Sequence, residues 1–196
     1  MKFLPITTES GAWQLTQLPV VAVDLGFSGK DPTTGVAWFP PSQSGATKLR
    51  FGEAVKDVAG RIRSFGDVVL VLEAPLSYAF NNDGNPQPRG DFERKPQCRW
   101  WSVGPGAATA LSALFFLRQL HRELESAKVT IHLVEGFVSG DDSGPHDKVA
   151  AKLRDGFRGK RKRQCYSVTE KESVISVLDW VTCDSPHNPP VILQPQ

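Results

Sequence analysis

The sequence has no apolar run near the ~20 residues that a bilayer-spanning helix needs. Its first nine residues, Met1 to Glu9, lack the apolar core of a signal peptide and soon carry an acid. Cysteine is scarce: Cys98, Cys165 and Cys183 are odd in number, widely spaced and form no CxxC pair. That pattern excludes a CxxC-type zinc site and fits free thiols, so a cytoplasmic protein is expected. Net charge is only +2, too small to imply nucleic acid without looking at how the charge is distributed. The Gly26–Lys30 stretch lacks the spacing of a phosphate-cradling P-loop. Neither Ser28 nor Ser77 has a histidine at a telling position, which argues against a Ser-His-Asp hydrolase.

What is present is a chain of 196 residues, 40% hydrophobic and 22% charged, enough for one soluble domain with a real core. Residues 1–18 are polar with two apolar islands and read as an N-terminal arm with little regular structure. Val20-Val21-Ala22-Val23-Asp24 is apolar on both faces, as a fully buried strand is, and ends in a carboxylate beside Gly26. Gly35 to Phe39 reads as its hairpin partner, and Thr47 to Phe51 as a short third strand. Apolar residues at helical spacing predict a helix over 52–64. Val68 to Leu72 is a second buried strand, also closed by an acid, Glu73. Residues 75–104 read as one long connection containing Trp100 and Trp101. A long apolar helix is expected from Pro105 to about Ala127, then a third buried strand over 129–135 closed by Glu135. Helices are expected over 146–157 and 170–183, with a short edge strand near Val191. The order is that of an α/β protein: an antiparallel hairpin, then parallel strands, in one mixed sheet flanked by helices.

Three strands of this kind, each closed by an acid, point to one place, because ligands of such sheets collect beyond the carboxyl ends of the strands. Clustered acids without basic partners either take up protons or bind a cation. Oxygen ligands suit Mg²⁺ or Mn²⁺, and a pair of such ions ~4 Å apart suits phosphodiester cleavage. Asp24, Glu73 and Glu135 are the candidate ligands, with Asp179, flanked by Leu178 and Trp180, as the fourth. Asp147, next to His146 at a helix start, is its rival, although an acid there is also favoured by the helix dipole. The basic residues Arg158, Lys160, Arg161, Lys162 and Arg163 could grip phosphates, or form a solvated loop. Trp100 and Trp101, interleaved with cations, suit stacking on single strands, or could cover the core.

The Asp24 strand, the Gly35-Val36-Ala37-Trp38 hairpin, Leu72-Glu73-Ala74-Pro75-Leu76-Ser77 and a late helix with an acid resemble the RNase H-like superfamily. Within it, the likeness is to uncharacterised bacterial proteins described as predicted RNase H-like nucleases. There an acid-Ala-Pro-Leu segment is followed by a strand-end Glu (here Val134-Glu135-Gly136-Phe137). A closing helix with an Asp follows (Leu178-Asp179), then an Ile-Pro-type tail (here residues 191–195). The resemblance covers roughly 19–195 and implies a single RNase H-like domain over 19–196. It further implies a nuclease acting on DNA or RNA, with Asp24 bridging two metal ions and Glu73, Glu135 and Asp179 completing the shell. The chain departs from the pattern twice: Glu73 stands where Asp is commoner, and the last helix has one acid where two are common. Those departures favour the alternative, a non-catalytic RNase H-like domain that binds nucleic acid or a partner protein.

Overall fold

The computed structural model describes residues 1–28, 30–39, 43–94, 105–138, 144–159, 163–168, 174–182 and 187–195. Trp100, Trp101, Lys160, Arg161 and Lys162 lie outside the described residues.

The chain opens with strand β1 (Lys2–Pro5) and helix α1 (Glu9–Gln14). Strands β2 (Val20–Asp24), β3 (Thr34–Phe39) and β4 (Gly45–Leu49) follow as an antiparallel meander. Helix α2 (Phe51–Phe65) leads into β5 (Val68–Glu73). The connection after it holds β6 (Ser77–Phe80), the two-residue β7 (Pro86–Gln87) and a 3-10 turn at Asp91–Arg94. Then come α3 (Pro105–Glu123), β8 (Thr130–Gly136), α4 (His146–Phe157), β9 (Arg163–Tyr166), β10 (Val174–Ser176), α5 (Leu178–Thr182) and β11 (Ile192–Pro195).

Among the described residues, eight strands make one mixed sheet in the order β4-β3-β2-β5-β8-β11-β9. β1 runs beside the first half of β8, Lys2 opposite Thr130, and β11 beside its end, Ile192 opposite Glu135. β2, β5 and β8 are parallel neighbours, as the α-helical crossovers between them require. The α/β class with a hairpin-then-parallel sheet is therefore present.

Because strand side chains alternate faces, the sheet has two cores. Val21, Val23, Leu70, Leu72, Ile131 and Leu133 pack with α2, α3 and α5 on one face. Val20, Ala22, Val69, Val71 and Val134 pack on the other with Val149, Leu153 and Phe157 of α4. Helix α2 follows its pattern closely: Ala54, Val55, Val58, Ala59 and Ile62 are all buried.

Four expectations need correction. Residues 1–18 are not an irregular arm: Phe3, Ile6 and Ala12 are buried, and β1 is a sheet member. No single helix spans 170–183. Among the described residues there, Val174 to Ser176 pairs with β6 and only Leu178–Thr182 is helical, consistent with the strand preference of the β-branched pair Val174-Ile175. The C-terminal strand is internal to the sheet, lying between β8 and β9. The long connection contains strands and a buried ion pair, described below.

Arg158 and Arg163 are engaged by the protein itself. Arg158 donates to the Thr16 carbonyl at 2.6 Å and stacks over Phe39. Arg163 donates to the Gly156 carbonyl at 2.7 Å and lies 3.4 Å over the Trp13 ring. Both fasten the N-terminal segment to the α4 end of the molecule, which corrects their reading as phosphate-gripping residues. Arg163→Ala is expected to lower stability by about 1 kcal/mol through lost stacking and stem packing. It should also speed amide exchange in α1, read by hydrogen-exchange mass spectrometry; unchanged exchange there would contradict the fastening role.

Candidate functional site

β2 and β5 place Asp24 directly opposite Glu73. Asp24 follows Val20 and Ala22, and Glu73 follows Val69 and Val71, so both acids point to the α4 face. Asp24 is 7% exposed, and its carboxyl is within hydrogen-bonding reach of that of Glu73. Glu73 is half-buried and accepts the Val138 N–H at 3.3 Å.

The next register position along the row, opposite Asp24 on β3, is Gly35. A side chain there is impossible without a shift: a Cβ would stand 2.0 Å from the His146 carbonyl oxygen. The glycine lets the first turn of α4 sit on the sheet beside Asp24. His146 Nδ1 then reaches Asp24 Oδ2 at 2.7 Å. The following residue, Asp147, has a buried Oδ1 with no hydrogen-bond partner among the described residues. Gly26 plays a similar part just past β2, where a Cβ would stand 2.3 Å from the Thr33 carbonyl oxygen.

Electrostatics mark the same place. Burial raises the Asp24 carboxyl to about 7, with the Glu73 hydrogen bond opposing. Burial, then the Asp24 charge and hydrogen bond, hold Glu73 well above the usual carboxylate range, with the Val138 N–H and His146 opposing. The pair therefore shares a proton at neutral pH. Two adjacent acids in this state are what a divalent cation would relieve. The donor set is hard oxygen, which fits Mg²⁺ or Mn²⁺. Among the described residues no three His, Cys, Asp or Glu side chains converge as a finished metal shell, so a cation would draw in a further ligand.

Two of the expected ligands are elsewhere. Glu135 pairs in register with Leu72, not with Glu73, which faces Gly136. It therefore points to the opposite face of the sheet, since a one-residue offset in a strand reverses the side chain. There it is fully buried and its two oxygens are held by Arg89 at 2.6 Å each, with the Leu76 N–H at 2.7 Å. Arg89 also bonds Ser77 Oγ at 2.9 Å and Glu93 Oε1 at 2.6 Å. Burial works against the guanidinium charge, but Glu135 and Glu93 outweigh it and keep Arg89 protonated. Asp179 belongs to α5, which packs with α3 on that same far face. Its oxygens accept the N–H groups of His187 at 2.6 Å and Ser176 at 3.2 Å. Both acids are structural anchors, and the residues of the long connection that hold Glu135 escaped the sequence reading. Of the expected set, the structure brings together Asp24 and Glu73, with the rival Asp147 on the turn that docks beside them.

Gly35→Ala is expected to push the first turn of α4 off the sheet and break the His146–Asp24 contact. The cost should be about 1–3 kcal/mol by urea unfolding, the usual range for a forced insertion into packed structure. Wild-type stability would show that α4 can move aside freely.

No family model, curated protein or solved structure matches the chain. No helix among the described residues is long and apolar enough to cross a membrane.

Proposed function

We propose that the protein is an RNase H-like, divalent-cation-dependent nuclease that hydrolyses phosphodiester bonds in DNA or RNA. One observation carries the reading: Asp24 and Glu73 stand in register at the carboxyl ends of adjacent parallel strands, on one face, with His146 against Asp24. That is where ligands of such sheets bind. The fold reading is supported by the antiparallel meander β4-β3-β2 continuing into parallel β5 and β8, with helices on both faces. The ligands proposed are Asp24 and Glu73, in place of the Glu135 and Asp179 assignments, with Asp147, on the neighbouring turn, as the candidate for a further ligand.

A bound Mg²⁺ or Mn²⁺ would supply Lewis acidity and a more acidic water. The protein's own share is to hold the two carboxylates side by side, to fix Asp24 through His146, and to exclude water behind them with the α4 core. The test is cleavage of labelled single-stranded, duplex and branched DNA and RNA with Mg²⁺ or Mn²⁺. Cleavage of at least one substrate is expected, and undiminished cleavage by Asp24→Asn would sink the mechanism.

The second reading is a non-catalytic RNase H-like domain that binds nucleic acid or a partner protein. It is favoured by the diversion of Glu135 and Asp179 into structural bonds. Retention of oligonucleotide on the protein without cation binding or cleavage would select it.

A further inference from the structure

We propose that two copies of the chain pair through the outward face of α3, helix antiparallel to helix, about a two-fold axis at Leu111. A helix on a solvated surface sets a polar stripe opposite its apolar one, and a helix that is apolar all round is covered on every side. Helix α3 carries no charged residue from Pro105 to Leu117. Its inward side belongs to the core, with Ala113, Phe116 and Leu117 fully buried. Its outward side is as apolar: Leu111 is 63% exposed and Phe115, one turn on, 53%. Helix α2, on the same side of the sheet, exposes Glu53, Lys56 and Arg63 instead.

The apolar face extends beyond α3. Leu111, Ile175 of β10 and Trp180 of α5 line a hollow of about 310 Å³, with Ala107 and Tyr78. An apolar cavity of roughly 150 Å³ already admits benzene, so the hollow has room for an aromatic side chain. Among the described residues, four of the five large apolar side chains left exposed are Leu111, Phe115, Ile175 and Trp180, which concentrates them on this face. Each is about half exposed, so together they present on the order of 400 Å² per copy, taking roughly 150–250 Å² for a whole aromatic side chain. With their immediate neighbours, two copies would bury on the order of 1,000 Å², the size at which specific interfaces begin.

Three features select a second copy as the occupant. The uncharged span is centred on residue 111, so an antiparallel crossing there lays uncharged helix on uncharged helix. The exposed Arg118 and Arg122 fall outside the contact. That register also sets residue 115 opposite residue 107, so the large ring of Phe115 meets the small partner's Ala107 at the hollow. Ridge and hollow thus share one patch, as an isologous contact needs, since each copy must offer both.

The test is sedimentation velocity of the full chain across the micromolar range. The wild type is expected to pass from a 21.5 kDa monomer to a species of twice that mass. Leu111→Lys and Leu111→Glu should each raise the dissociation constant by at least about 100-fold, because like charges then face each other across the axis. An equimolar mixture of the two variants should dimerise again, since opposite charges then meet there. Leu111 is mostly exposed, so both variants should fold, checked by circular dichroism. A wild type that stays monomeric would overturn the inference and leave the face to a different partner or ligand. A dimer undiminished by either substitution would place the interface elsewhere and overturn it too. Variants that are monomeric alone and remain so when mixed would overturn the two-fold arrangement at Leu111. Should a residue-111 variant not fold, Phe115→Ser takes its place with the same expected loss, and an unweakened dimer there overturns the inference.

Discussion

Replacing Arg89 with Met is expected to lower stability by about 3–5 kcal/mol, the range for removing one partner of a buried ion pair. Arg89 and Glu93 are almost wholly buried and Glu135 is fully so. The guanidinium supplies the donors for Glu135 at both oxygens, for Glu93 and for Ser77. Methionine fills much of the volume but removes the cation that both buried carboxylates face. For a chain of this length that corresponds to a Tm lower by roughly 6–20 °C. Arg89→Lys should recover little, because an ammonium cannot present the planar fork that engages both acids. Thermal unfolding followed by circular dichroism reads both variants. A loss below about 1 kcal/mol for Arg89→Met would show that the network is solvated and that Glu135 is free for other work.

Asp24→Asn has opposite effects on activity and stability. Cleavage should fall about 10³-fold, since loss of a metal ligand removes several kcal/mol of transition-state stabilisation. Stability at pH 8 should rise instead. The folded protein holds the Asp24 proton more tightly than the unfolded chain does, with the carboxyl raised from 3.8 to about 7. A group raised in this way stabilises the fold fully below the unfolded value, and that stability is lost as pH climbs from about 4 to about 7. Asparagine does not ionise, so the loss disappears. The gain at pH 8 should be about 4 kcal/mol and should vanish near pH 4. Saturating Mn²⁺ should stabilise the wild type at pH 8 and leave Asp24→Asn unmoved.

The acid pair was legible from the chain alone because each member ends a strand that is apolar on both faces. The same property concealed the fate of Glu135. A strand buried on both sides carries no alternation to say which way each residue points. One position decides it: Gly136, not Glu135, lies opposite Glu73. Arg89 went unseen because 75–104 reads as a loop; its spacing of four from Glu93 was the one local hint of a pair. Asp179 looked like a ligand because the residues beside it are apolar, but that environment reflects the packing of a five-residue helix against α3. His146 was visible only as the neighbour of Asp147. Its contact with Asp24 spans 122 residues of sequence and depends on the absence of a side chain at Gly35.

The central claim is that Asp24 and Glu73 together hold a divalent cation, and calorimetric titration of Mn²⁺ in buffers of different ionisation enthalpy tests it most directly. The wild type should bind saturably at pH 8. It should release a proton as it does so, because the cation displaces the proton held between the two acids, and affinity should rise with pH through about 7. Asp24→Asn and Glu73→Gln should each lose the binding heat. Binding of equal strength in either variant, or no binding by the wild type at millimolar Mn²⁺, would contradict the account.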